Sequence, residues 1–141
     1  MSAIPVTLVG APFNSDGTPP ETENPAQALR EAGLADLLRS DGHAVADAGD
    51  VAVPASDGRR DPATGVLNLN ALQSFSRRLA HVLDAPLADD RFPLVIGGDC
   101  AILLGICGAL AARQPSAGLV FFDTHGDFQL PAIACTACRS G

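Results

Sequence analysis

Three side chains with metal-binding chemistry stand at alternate positions in residues 118–128: Asp123, His125 and Asp127. If the backbone stays extended, alternate side chains point to the same side, so that two carboxylates and an imidazole converge on one point. Oxygen and nitrogen donors of this kind suit Mn²⁺, Fe²⁺ or Zn²⁺, and the carboxylates favour Mn²⁺. The spacing therefore predicts a metal site.

The elements that must position this triplet are strands. Residues 119–122 are apolar, aromatic and β-branched, which is typical of a strand that is buried on both faces of a parallel sheet. A second polar turn, residues 97–100 (GGDC), follows another predicted strand at residues 92–96. Functional residues of parallel sheets gather beyond the carboxyl ends of the strands. We therefore expect both turns to face one crevice.

Strands and helices alternate along the chain. The predicted strands are residues 5–13, 43–53, 92–96 and 119–122. The predicted helices are one that starts at Pro25, with Asn24 as its cap, and continues through Leu38, then residues 67–83 and residues 101–113. Residues 14–20 and 54–66 are predicted loops, and residues 85–90 a connector. This order predicts a three-layer α/β/α fold around a mostly parallel sheet of about four strands.

Composition limits the class of protein. The 141 residues are 47% hydrophobic and 18% charged, as expected for one soluble globular domain. The net charge of -7 argues against nucleic acid as a partner, because a phosphate backbone requires clustered Lys and Arg. No apolar run approaches the ~20 residues that a membrane span needs, and no basic segment opens a signal peptide. We expect a cytoplasmic protein with no membrane partner, compatible with a cationic small molecule.

Four cysteines raise the question of a thiol site. Cys135 and Cys138 form a single CxxC pair, whereas a zinc ribbon needs a second pair at suitable spacing. A thioredoxin-type motif follows an early strand, and this pair does not. Reduced thiols are the preferred interpretation, with a structural zinc or redox role as the alternative.

Three blocks of the sequence resemble the N-terminal half of the arginase family, the ureohydrolases. They are residues 24–34 (NPAQALREAGL), residues 47–51 (DAGDV), and the pairing of residues 97–100 (GGDC) with residues 123–127 (DTHGD). The last pairing is the most specific, because the intervening helix and strand have the right length. The first block resembles the arginase branch more than the agmatinase branch.

The resemblance implies an arginase-like fold and two Mn²⁺ ions that activate a bridging hydroxide, which attacks a guanidinium carbon and releases urea. By matching position, Asp123 would bridge both ions, His125 would bind one ion and Asp127 the other. Asp99 would be a supporting residue near the site. The resemblance also implies a small guanidino substrate, such as arginine or agmatine, and homo-oligomers.

Position 100 departs from the family pattern, in which it is normally His. A thiolate of Cys100 at the start of a helix could bind metal, but it would favour a softer ion such as Zn²⁺. The alternative is a small buried thiol that leaves one metal site a ligand short.

The family normally continues with a later motif that carries two further metal-binding aspartates. We therefore expect residues 1–128 to be the N-terminal half of a ureohydrolase domain, residues 129–141 to be a divergent tail, and an uncovered strand edge to promote association. Two functions remain open: a manganese-dependent hydrolase of guanidino C–N bonds that is impaired in this truncated chain, or a non-catalytic truncated or degenerate fragment with weak or no metal binding. A metal-free α/β binding module ranks last, because it would make the alternating Asp-His-Asp pattern coincidental.

Overall fold

Three parallel strands form the centre of the molecule in a computed structural model that describes residues 3–113, 116–120 and 122. The strands are β1 (Pro5–Ala11), β2 (Ala44–Asp50) and β3 (Phe92–Gly97), and the helices are α1 (Pro25–Glu31), α2 (Leu34–Ser40), α3 (Leu69–Ala88) and α4 (Leu103–Arg113). The order in the sheet is β2-β1-β3, and both pairings are parallel. The α/β class and the parallel sheet that the sequence predicts are confirmed.

Helices cover both faces of β1. Val9, Ala11 and Phe13 are buried in one apolar cluster with residues of α3 and α4, and the rings of Phe13 and Phe75 stack with centroids 4.8 Å apart. The opposite face of β1 lies against α1, where Cβ of Ala26 is 3.0 Å from the position that a Cβ on Gly10 would take. This alternation produces the three layers.

The first predicted helix is wrong as a single element. Asn24 caps it as expected, because its side chain accepts a hydrogen bond from the N–H of Gln27 at 3.0 Å. The helix ends at Glu31, however, and Gly33 takes a left-handed conformation with φ of 84° before α2 begins. Leucine spacing continues across this break, and for this reason the sequence pattern does not reveal it.

The second predicted helix begins and ends later than its pattern indicates. It starts at Leu69, because Asn68 has a left-handed φ of 52°. It continues to Ala88 through the buried Pro86, so the connector predicted at residues 85–90 is wrong in its first part. The predicted apolar stripe is confirmed for Leu72 and Phe75, which are buried.

The strand β2 is shorter than predicted and contains a bulge. Leu8 of β1 pairs with Asp47, whereas Gly10 pairs with Asp50, so β2 uses one residue more than β1 over this stretch. Gly49, with φ of 75°, lies inside the bulge. Residues three apart in a regular strand lie on opposite faces. Because of the bulge, Asp47 and Asp50 can face the same side although they are three residues apart.

Arg30 of α1 donates hydrogen bonds to both of these aspartates. Its Nε and Nη2 donate to the two carboxylate oxygens of Asp47 at 2.8 and 3.0 Å, and its Nη1 donates to Asp50. Asn24 also donates to Asp50, at 2.7 Å. The hydrogen bond from Arg30 is the main cause that lowers the pKa of Asp47, and the same bond raises the pKa of Arg30. The helix layer is thereby tied to the edge of the sheet.

The fourth predicted strand is wrong for the residues that the structure describes. Residues 117–120 and Phe122 have no strand pairing, and Val120 and Phe122 are 78% and 93% exposed. A run rich in β-branched and aromatic residues becomes a strand only when a neighbour accepts its backbone hydrogen bonds. The outer edge of β3 therefore has no partner within the described ranges. None of the helices in those ranges is both long and apolar enough to cross a membrane.

Candidate functional site

The carboxyl ends of β1 and β3, where the sequence predicts a crevice, lie side by side in the sheet. β2 and β3 lie on opposite sides of β1, so the chain order reverses there, as it does at the ligand-binding edge of open α/β sheets. The N–H of Gly98 donates to the carbonyl of Ala11 at 3.0 Å, and the N–H of Asp99 donates to the carbonyl of Phe13 at 3.1 Å. The turn that follows β3 is thus fastened to the segment that follows β1.

Close backbone approach explains the glycine at position 98. A Cβ on Gly98 would overlap the carbonyl oxygen of Phe13 and crowd the side chain of Asn14. Any larger residue would push the two segments apart. The Gly-Gly of this turn is therefore required by packing at the crevice.

The carboxylate of Asp99 is held by protein donors on both of its oxygens. Its Oδ2 accepts from the backbone N–H of Ser15 at 2.7 Å and from the Ser15 hydroxyl. Its Oδ1 accepts from the N–H of Ala101 at 3.0 Å and caps the short 3-10 turn Cys100–Ile102. One side chain therefore joins the loop after β1 to the turn after β3.

Asn68 holds the same loop from a second direction. Its Nδ2 donates to the carbonyl of Ser15 at 3.0 Å, and its Oδ1 accepts from the N–H of Gly58 at 2.8 Å. The residue is only 1% exposed. Sequence reasoning missed both Asn68 and Ser15. The available signal was an Asn between two leucines in front of an amphipathic helix, a position where a buried amide must find partners.

The loop after β1 also closes on itself. The N–H of Gly17 donates to the carbonyl of Asn14 at 3.0 Å. Thr18 donates to Asp16 from its backbone and its hydroxyl, at 2.7 and 3.0 Å, and the backbone bond is the main cause that lowers the pKa of Asp16. Asn14 Nδ2 is buried and has no hydrogen-bond partner in the part of the chain that the structure describes. The residue Asn14 lines a cavity of about 410 Å³ together with Thr18 and Glu21.

The predicted metal ligands are only partly placed. Cys100 is exposed and begins the 3-10 turn at the carboxyl end of β3, so the alternative of a small buried thiol at this position is wrong. Asp123, His125 and Asp127 lie outside the described residues, as do Cys135 and Cys138. Among residues 3–113, 116–120 and 122, no three His, Cys, Asp or Glu side chains are grouped closely enough to hold a metal ion.

Comparisons with known proteins point to one family. The model of the arginase family matches residues 4–139. Arginase-1 of Xenopus laevis is 33% identical over 130 residues, which are 92% of this chain and 40% of that protein. The arginase of Bacillus caldovelox is 28% identical over 124 residues, which are 87% of this chain and 42% of that protein.

Solved structures agree in fold. The structure of the arginase from Bacillus caldovelox has a TM-score of 0.76 at 27% identity, over 88% of this chain and 42% of that one. The arginase of Bacillus cereus gives a TM-score of 0.67 at 26% identity, over 91% of this chain and 41% of that one. The chain thus spans about two fifths of the length of the relatives that it matches.

Proposed function

Because this chain belongs to the arginase family, we propose that it acts in the manganese-dependent hydrolysis of a guanidino C–N bond with release of urea. One observation carries the proposal within the described residues. The Gly97-Gly98-Asp99-Cys100 turn follows β3 and is hydrogen-bonded to the segment at the end of β1, at the edge where open α/β sheets bind ligands. In the sequence, Asp123, His125 and Asp127 follow the next apolar run.

The donor set fits the proposed ion. Asp123, His125 and Asp127 supply two carboxylates and an imidazole, ligands that Mn²⁺ accepts. Cys100 is the fourth candidate, and its thiolate would make the site softer than a fourth imidazole would. When bound, a pair of such ions supplies a nucleophile at neutral pH by lowering the pKa of a water molecule.

The described residues hold the turn after β3 and the loop after β1 in place at the edge of the proposed site. Both oxygens of Asp99 accept hydrogen bonds from the protein, so this side chain supports the turn that presents Cys100. The loop that follows β1 is held beside the same turn through the bond from the Ser15 N–H to Asp99. These residues would exclude water from one side of the substrate and fix the position of residue 100.

The proposed substrate is a small cationic guanidino compound, with arginine and agmatine as the two candidates. The net charge of -7 supports a cation as ligand. A guanidinium carbon is a poor electrophile, and for this reason the reaction needs an activated water molecule. A cytoplasmic location and self-association belong to the same proposal.

The proposal is tested by metal content and urea release from the purified chain after loading with Mn²⁺. We expect about two bound ions per chain and urea release from arginine or agmatine. Both should be lost in Asp123→Ala and kept in the matched variant Asp36→Ala, because the Asp36 carboxylate lies in α2 and pairs with Arg39 at the surface. A chain that binds no Mn²⁺ and releases no urea would instead be the non-catalytic member of the family.

A second experiment addresses position 100. Replacing a thiolate by an imidazole should shift the preference of the site from Zn²⁺ toward Mn²⁺. We expect Cys100→His to raise the Mn²⁺ affinity relative to the Zn²⁺ affinity in competition titrations. Cys107→Ser is the control, because Cys107 is an exposed thiol in α4. An unchanged ratio of affinities in Cys100→His would remove position 100 from the ligand set.

A further inference from the structure

Arg91, the residue before β3, joins the amino ends of the three strands. Its Nε donates to the Thr7 hydroxyl at 2.7 Å. Its Nη2 donates to the carbonyls of Val6 and Ala44, at 2.6 and 3.1 Å. Val6 and Thr7 lie in β1, and Ala44 begins β2. All of these acceptors are neutral oxygen atoms.

The positive charge of Arg91 is not compensated among the residues that the structure describes. It forms no salt bridge there, although Asp89 and Asp90 precede it in the sequence. The N–H groups of its Nη1 likewise donate to no acceptor in that part of the chain. A guanidinium is always charged at neutral pH, and a half-buried charge is costly without a countercharge. Arg91 therefore has donors left for an anionic partner.

Arg91 also lines an apolar groove of about 310 Å³. The other seven lining residues are apolar: Leu83 and Leu87 of α3, Ile106 and Leu110 of α4, and three residues of β3. The volume is at the lower end of the range for small-ligand pockets, roughly 300–1,000 Å³. The groove thus combines apolar walls that suit a short hydrocarbon chain with one cation that lacks an anionic partner.

We propose that this groove binds a medium-chain aliphatic carboxylate, with its hydrocarbon chain between α3, α4 and β3 and its carboxylate on Arg91. Hydrogen bonds between arginine and a carboxylate are charge-assisted and therefore strong. Each buried methylene group of the chain adds to the affinity through the hydrophobic effect. Arg91 precedes β3, whereas the Gly97–Cys100 turn follows it, so this site is separate from that of the guanidino substrate. Binding here requires neither Mn²⁺ nor catalysis.

The net charge of -7 does not prevent an anion from binding at this point. At physiological ionic strength, charges more than about 8 Å apart are largely screened, whereas the carboxylate would contact Arg91 directly. Asp84, the acidic residue of α3 next to Leu83, pairs with Arg113 at 2.7 Å. Its negative charge is thereby compensated by a cation of α4.

The experiment is isothermal titration calorimetry of the full chain, at a protein concentration where sedimentation velocity shows a monomer. We expect octanoate to bind about fourfold more tightly than heptanoate, because it buries one methylene group more. Octan-1-ol and octylammonium carry the same chain without an anionic head group. Both should bind about tenfold more weakly than octanoate, as for the loss of hydrogen bonds between charged groups.

Two variants locate the head group. Arg91→Met keeps an apolar stem and removes the cation, so it should weaken octanoate binding about tenfold and leave octan-1-ol binding unchanged. Arg39→Met is the matched control, because it removes a cation of α2 that already pairs with Asp36. Its affinity for octanoate should equal that of the parent chain. Circular dichroism reports whether each variant is folded.

Each result decides the proposal. Absence of octanoate binding would overturn it, as would octan-1-ol or octylammonium that binds as tightly as octanoate. Unchanged octanoate affinity in folded Arg91→Met would also overturn it. If octanoate affinity falls as larger species form at higher protein concentration, a second copy occupies the groove and the proposal fails. If Arg91→Met does not fold, Leu110→Glu decides, because a carboxylate in the groove should weaken octanoate binding about tenfold by repulsion.

Discussion

A Cβ atom on Gly10 would overlap the Oδ1 atom of Asp50. The Asp50 carboxylate therefore lies over the backbone of the central strand, in the space that a side chain at position 10 would fill. The bulge in β2 makes this possible, since it pairs Gly10 with Asp50 and turns the carboxylate toward Arg30. Gly10 and Asp50 together determine how α1 is joined to the sheet.

Gly10→Ala should destabilise the chain by about 2–4 kcal/mol, because the methyl group displaces Asp50 and breaks its bond to Arg30. Urea unfolding followed by circular dichroism measures the change. Gly108→Ala is the matched control: this position in α4 has open space for a Cβ, and the change should stabilise by about 0.5–1 kcal/mol. Equal urea midpoints for Gly10→Ala and Gly108→Ala would show that the overlap at Gly10 is relieved without loss of stability.

Acid should weaken the contact between α1 and β2. Arg30 lowers the pKa of Asp47 in the folded chain, so this pair stabilises the fold above the unfolded value of about 3.9. The contribution is lost as the pH falls through the lower, folded pKa. The free energy of unfolding should therefore fall less steeply from pH 6 to pH 3 in Arg30→Met than in the parent chain.

The control for this measurement is Arg113→Met, which removes a partly exposed pair with Asp84. Exposed pairs of this kind contribute little to stability. The pH dependence of Arg113→Met should thus match that of the parent. If the free energy of unfolding fell as steeply in Arg30→Met as in the parent, the ionisation of Asp47 would not contribute to the pH dependence of stability.

Asn68 combines a buried amide with a left-handed backbone, so two variants can separate these contributions. Asn68→Ala should cost about 2–4 kcal/mol, through the lost bonds to Ser15 and Gly58 and through strain at positive φ. Asn68→Gly removes the same bonds without the strain, and it should cost about 1 kcal/mol less. Asn70→Ala, at an exposed position two residues later in the first turn of α3, should stay within about 0.5 kcal/mol of the parent in the same unfolding assay. Identical losses for the Ala and Gly variants would exclude a strain contribution.

The edge of β3 that has no strand partner among the described residues should promote association. Phe92 is 56% exposed there, beside an apolar groove of about 310 Å³ that includes Leu83, Ile106 and Leu110. We expect sedimentation velocity to show larger species as the protein concentration rises, and fewer of them in Phe92→Lys. Leu37→Lys, on a 61% exposed residue of α2, should leave the distribution unchanged. A parent chain that stays monomeric at all concentrations would contradict the prediction.

Local patterns were sufficient for most of the fold. Alternation of strands and helices predicted the parallel sheet, and apolar spacing predicted α3, because both are properties of short windows of sequence. The division of the first helix at Gly33 was not predictable from apolar spacing, which continues through Leu34, Leu37 and Leu38. The sequence likewise indicated a turn near Pro86, whereas packing against the core keeps the helix intact.

The site was less predictable, because its contacts join residues that are far apart in the chain. The Gly-Gly-Asp turn was found from its place after a strand. The bond between Ser15 and Asp99 spans 84 positions, and the bond between Asn68 and Ser15 spans 53. No periodicity connects such residues. From the sequence alone, Ser15 is one residue of a turn-rich loop. Its role becomes visible only when the structure places the Asp99 carboxylate beside it.

The order β2-β1-β3 also has a consequence for synthesis on the ribosome. β1 is made first, yet it is the central strand, and residues 6–11 are all buried in the finished sheet. Its second neighbour, β3, exists only after residue 97 has been translated. Until then, the edge of β1 that pairs with β3 stays open even after β2 has been made, and pairings this distant form slowly. Chaperone contact early in translation is the expected protection for such a nascent chain.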